Sequence, residues 1–121
     1  MKNDTDNRDL YSGMIRLHIL HHAEHEAIFG AGMAEELARH GYRISPGTLY
    51  PILHGLERRA YLKSEEERSG RTARRFYRIT PFGRRALKTA RLRVRELFGE
   101  QGHIGAVLLK HDLAFQPVLR Y

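Results

Sequence analysis

The chain has 121 residues, enough for one domain with a modest core, and its 21 lysines and arginines outweigh 14 acids to give a formal charge of +7. That balance makes a polyanion the leading class of partner, nucleic acid first and acidic lipid second. With no cysteine there are no disulfides, thiolate metal sites or cysteine nucleophiles; the polar start MKNDTDNRD lacks a signal peptide's apolar core, and no run is long enough to span a bilayer, so a cytoplasmic protein without a membrane partner is expected.

Residues 1–9 read as a disordered polar tail. A first helix is predicted from Leu10 to about Phe29, with Leu10, Met14, Leu17, Leu20 and Ala23 at helical spacing and Ile15 and Ile19 forming a second apolar strip. A helix apolar on two sides must bury both, so one strip belongs to the core and the other to something else. A second helix fits Ala31 to His40, with Met33, Ala34, Leu37 and Ala38 on one face and Gly41 where a left-handed C-cap would stand.

Ser45-Pro46 pairs a hydroxyl N-cap with proline at the first helical position, and Leu49, Ile52, Leu53, Leu56 and Ala60 mark the inward stripe of a third helix. Pro51 lies early enough in it for the lost backbone donor to cost less than it would mid-helix. From Tyr61 the pattern alternates. Tyr61–Ser64 opens a strand, Arg68–Thr72 is a turn around Gly70, and Arg75–Ile79 returns. Thr80-Pro81 repeats the cap-plus-proline device before a long helix to about Glu100, with Leu87, Ala90, Val94 and Leu97 in register.

The expected fold class is mainly α with a small β-hairpin: a winged helix-turn-helix over residues 10–80, a dimerisation helix over 81–101 and an apolar extension over 102–121. The extra strip of the first helix and the stripe of the last predict a symmetric dimer built from Leu10, Met14, Leu17, Leu87, Ala90, Val94 and Leu97. The apolar residues between Ile104 and Leu119 predict packing onto the partner chain or over the hollow between long helices.

The run Ser45-Pro46-Gly47-Thr48-Leu49-Tyr50-Pro51, with Leu53 and Leu56 behind it, resembles the recognition helix of the PadR family of winged-helix transcription regulators. Arg74-Arg75-Phe76-Tyr77-Arg78-Ile79-Thr80, followed by Gly83, is similar to that family's second wing strand and its exit. Phe29-Gly30 ahead of Met33, Glu36 and Leu37 is similar to the entry of its second helix. The likeness covers roughly Leu10 to Gly99. It implies a homodimeric repressor joined through its last and first helices, bound to a pseudo-palindromic operator in double-stranded DNA and released by a small-molecule effector. Some relatives stack such effectors on tryptophan, which this chain lacks.

The residues support the same partner directly. With Leu49, Ile52, Leu53 and Leu56 turned inward, Ser45, Gly47, Thr48, Tyr50 and His54 are left on or beside the outer face, where small and hydroxyl residues at a helix N-terminus approach phosphate and base edges. The alternative is that Ser45 only caps and Tyr50 packs. Arg68, Arg71, Arg74 and Arg75 surround the glycine turn in a stretch without an acid from Arg68 to Arg95, a pattern suited to a narrow minor groove or to phosphate. Tyr77 either reaches a phosphate through its hydroxyl or pairs across strands.

His18, His22 and His25 fall on one helical face, close to His21, and could hold zinc, nickel or copper; the plainer reading makes them interfacial histidines, or a protonation-sensitive contact. No cofactor is expected. There is no Gly-rich phosphate loop, nucleophile elbow, paired carboxylate set or HExxH metalloenzyme motif, so a regulator or a nonspecific basic module is favoured over an enzyme.

Overall fold

A computed structural model describes residues 8–99; the first seven residues and the apolar extension lie outside the described residues. Helix α1 runs Arg8–Ala23, strand β1 Ile28–Phe29, helix α2 Gly30–Arg39, helix α3 Pro46–Arg58, strands β2 Leu62–Ser69 and β3 Thr72–Ile79, and helix α4 Pro81–Phe98. The strands form one antiparallel sheet in the order β1-β3-β2. The expected winged helix-turn-helix is present, with one addition. The hairpin carries a third, two-residue strand.

That strand lies where the first helix was expected to continue. Backbone bonds from Glu24 to Leu20 and from His25 to His22 close α1 in a turn, and the chain then extends so that Ile28 pairs with Tyr77 and Phe29 with Phe76. A β-branched and an aromatic residue gain more from the sheet than from another helical turn, because the pairing buries Ile28 in the core.

The core joins all the elements: Ile15, Ile19, Leu20 and Ala23 from α1, Met33 and Leu37 from α2, Leu49, Leu53 and Leu56 from α3, Leu62, Tyr77 and Ile79 from the sheet, and Leu87 from α4. The two strips of α1 separate only toward its start, because Leu20 and Ala23, expected on the strip with Leu10 and Met14, are buried as well. Ile15 and Ile19 face inward, while Leu10 and Met14 are 70% and 48% exposed.

Helices α2 and α3 end alike. In each, the second residue past the C-cap donates to the carbonyl three residues before the cap (Tyr42 to Leu37 at 2.8 Å, Tyr61 to Leu56 at 2.9 Å), the bond of a Schellman motif. The left-handed position is Gly41 at φ +91° in α2, as expected, and Ala60 at φ +66° in α3. Ala60 therefore lies past the helix and is exposed, rather than closing the inward stripe. Thr80 caps α4 by accepting from the Gly83 N–H at 2.9 Å, and a Cβ at Gly83 would stand 2.2 Å from the Tyr61 carbonyl oxygen, so α4 is seated directly on the chain entering the sheet.

Candidate nucleic-acid interface

Helix α3 buries Leu49, Leu53 and Leu56 and leaves Ser45, Pro46, Gly47, Thr48, Tyr50, Pro51 and His54 exposed. Pro46 occupies the first turn, and Pro51 is accommodated within the helix. Ser45 stands at the N-cap without making a side-chain cap bond; its hydroxyl lies 3.3 Å from the Thr48 hydroxyl. The tip thus offers two hydroxyls and a glycine, while Pro46 has no N–H and the Thr48 and Leu49 N–H groups donate to the Ser45 carbonyl at 3.0 and 2.9 Å. Tyr50 both faces outward and packs: it is 43% exposed, yet its ring lies so close to Gly30 that a Cβ there would meet the Tyr50 hydroxyl at 2.5 Å.

The wing turns at Gly70-Arg71 between paired Ser69 and Thr72, with Gly70 at φ +63°. Positive φ at the first central residue only is the pattern of a type II′ turn, which suits strand twist. Arg68, Arg71, Arg74 and Arg75 are all exposed. They are not alike. The Arg74 guanidinium lies 3.9 Å from the centre of the Phe29 ring on β1, and Arg75 donates to the Ser64 hydroxyl at 2.8 Å.

The acid-free stretch of sequence is not acid-free in space. The register sets Glu66 opposite Arg75 and Glu67 opposite Arg74, and Glu66 pairs with Arg68 at 3.3 Å and Arg75 at 4.0 Å. These contacts are exposed and weak.

Tyr77 is a correction to the sequence reading. It is 1% exposed, its hydroxyl is buried without a hydrogen-bond partner, and burial pushes the phenol up from its ordinary pKa. Alternation along β3 sends Tyr77 and Ile79 into the core, so the ring cannot reach a phosphate from the folded wing.

A link between α3 and the wing has no signal in the sequence. Glu57 Oε2 accepts from the Ser64 backbone N–H at 3.0 Å and from its hydroxyl at 2.7 Å. The Ser64 hydroxyl bond, then its backbone N–H, Arg75 and His54, hold the Glu57 carboxyl below its usual pKa against the opposing effect of burial. Seven residues separate the pair across a helix end, where no periodic pattern joins them.

The histidines are not gathered as their spacing predicts. His18 packs against the rings of His40 and Tyr42, at 4.8 and 5.2 Å between centroids, and burial followed by the His40 charge lowers its pKa. His22 Nε2 lies 3.3 Å from Glu26, and His25 meets His21 instead. Because α1 ends at Ala23, His25 has left the helical face that spacing assigned to it.

Of the apolar residues assigned to a partner, Leu87 is 2% exposed and belongs to this chain's own core, while Leu17 packs partly against it. Ala90 is half-buried, whereas Leu10, Met14, Val94 and Leu97 remain open, joined by Leu92 and Phe98.

Residues 19–89 match the model of the transcriptional regulator PadR-like family. The chain is 49% identical over 100 residues to the transcriptional regulator Rv3488 of Mycobacterium tuberculosis, covering 79% of this chain and 94% of that one. The chain belongs to the PadR-like family of transcriptional regulators.

Solved structures of transcriptional regulators share the fold. A PadR family transcriptional regulator from Eggerthella lenta superimposes with a TM-score of 0.69 at 30% identity, covering 77% of this chain and 82% of that one. A transcriptional regulator from Clostridium thermocellum gives 0.59 at 27% identity over 80% and 90%. PadR regulators are non-enzymatic DNA-binding proteins, which gives the outer face of α3 and the wing their chemical context. No helix among the described residues is long and apolar enough to cross a membrane.

Proposed function

We propose that this PadR chain is a homodimeric, sequence-specific repressor acting in the cytoplasm, with residues 10–80 binding DNA, α4 joining the subunits, and a small-molecule effector releasing the operator. The observation that carries the reading is the pairing of an exposed small-residue helix tip with an exposed arginine wing, tied together through Glu57 and Ser64. Ser45, Gly47 and Thr48 enter a major groove. Tyr50 and His54 flank it, and Arg68, Arg71 and Arg74 hold the adjacent backbone or minor groove. Arg75 acts chiefly by fixing the wing.

The dimer reading is supported by apolar surface that one chain leaves open. Leu10 and Met14 on α1, and Leu92, Val94, Leu97 and Phe98 on α4, are all exposed. A two-fold pairing would bury it and set two recognition helices against half-sites about one helical turn apart.

A gel shift with the DNA upstream of the chain's own gene tests this. Binding is expected to survive excess random duplex and to weaken steeply with salt, as phosphate contacts release counterions. Equal affinity for random DNA would leave only a nonspecific basic module.

A further inference from the structure

Past Ala23 the turn that ends α1 carries three potential ligands to one spot. One atom each of His21, Glu24 and His25 lies within 4.8 Å of the others, the one such convergence of three among the described residues. The rings of His21 and His25 meet edge-on, with centroids 5.4 Å apart.

A cation is already drawn to this spot. Arg91, reaching over from α4, places a guanidinium nitrogen 2.9 Å from Glu24 Oε1 and 2.6 Å from His21 Nδ1. A guanidinium can only donate, so Nδ1 must present its lone pair there, which is the form of imidazole that ligates a metal. The same place therefore offers a carboxylate and an available imidazole nitrogen, with a second imidazole beside them.

We propose that His21, Glu24 and His25 bind a divalent transition-metal ion in competition with Arg91. Two imidazoles and one carboxylate suit zinc, nickel or copper, whereas calcium and magnesium call for oxygen ligands alone. Bonds of about 2.0–2.1 Å put tetrahedral ligand atoms roughly 3.3 Å apart, so side-chain rotation closes the remaining gap. His25 is exposed and His21 and Glu24 are half-buried, which admits the ion and lets water complete its shell.

The dication and the Arg91 guanidinium cannot share the site. Arg84, whose charge also acts on Glu24, adds to the opposition the ion must overcome. Binding therefore detaches Arg91 and breaks a charged tie between the end of α1 and α4. Those two helices carry the open apolar surface, so occupancy would alter how subunits pair. That consequence rests on the proposed dimer; the binding site itself does not.

Calorimetric titration of the full chain with zinc and with nickel tests the site without DNA. One ion per chain is expected, with His25→Asn and Glu24→Gln each weakening affinity at least tenfold and His22→Asn leaving it unchanged. Arg91→Gln is expected to tighten it about fivefold, the upper range for freeing an exposed ion pair. The proposal is overturned by a wild-type chain that binds neither metal, by His22→Asn costing as much as His25→Asn, or by Arg91→Gln leaving affinity unchanged or weaker. Loss of operator binding with metal titration intact would count against the repressor reading alone.

Discussion

Glu57 holds Ser64 by two hydrogen bonds, one to its backbone N–H at 3.0 Å and one to its hydroxyl at 2.7 Å. Glu57 lies in the last turn of α3 and Ser64 near the start of β2, and Arg75 reaches the same hydroxyl from β3. Helix α3 and the hairpin are thereby fixed in one relative orientation. A rigid grip forfeits less entropy on binding than one that must order itself on the duplex.

This link gives stability a defined pH dependence. The Glu57 carboxyl is depressed below its unbound value of 4.5, so its contribution is fully present above that pH and is lost as pH falls through the lower folded value. Glu57→Gln should cost about 1–2 kcal/mol near neutrality, measured by urea unfolding, and the gap from wild type should close in acid. A gap that widens in acid would refute the assignment.

Ala60 occupies a left-handed position that glycine fills in the matching motif of α2. Ala60→Gly should therefore stabilise the chain by up to ~1 kcal/mol, because the exposed methyl makes no core contact to lose. Thermal melting should show a rise of about 4–8 °C per kcal/mol gained for a domain of this size.

The two proposed DNA elements should fail in different ways. Thr48→Ala should change operator preference, costing about 1–3 kcal/mol of discrimination if a base edge is lost. Arg71→Ala and Arg74→Ala should weaken all duplexes alike, each lowering the salt slope by roughly 0.9 per lost phosphate contact. Tyr77→Phe should leave DNA affinity untouched, since its hydroxyl is sealed in the core. Binding measured across a salt series separates the three.

Leu97 is 75% exposed near the end of α4. Leu97→Glu should convert the proposed dimer to monomer in analytical ultracentrifugation and cut operator affinity, while circular dichroism stays that of a folded winged helix. A variant that remains dimeric would move the subunit contact elsewhere.

Much of the fold was legible because its signals are local. Ser45-Pro46 and Thr80-Pro81 mark helix starts through backbone chemistry confined to one turn, and Gly70 marks the hairpin in the same way. Ile28 and Phe29 were misread as helix because their strand exists only by pairing with residues almost fifty positions later. Tyr77 and Leu87 were misassigned for a related reason: alternation and periodicity say which residues share a face, but not whether this chain or another covers it. The facing of Glu66 and Glu67 against the wing arginines depends on register, which the turn fixes only once it is known to hold two residues. Glu57 and Ser64 carry no pattern at all.

Gly30 has a consequence beyond its own helix. The Tyr50 ring rests in the space a methyl would take. Any side chain introduced at position 30 would push that ring off α2 and into the outward profile of α3. A substitution at position 30 would thus reshape the outer face of α3 while leaving every residue of that helix as it is.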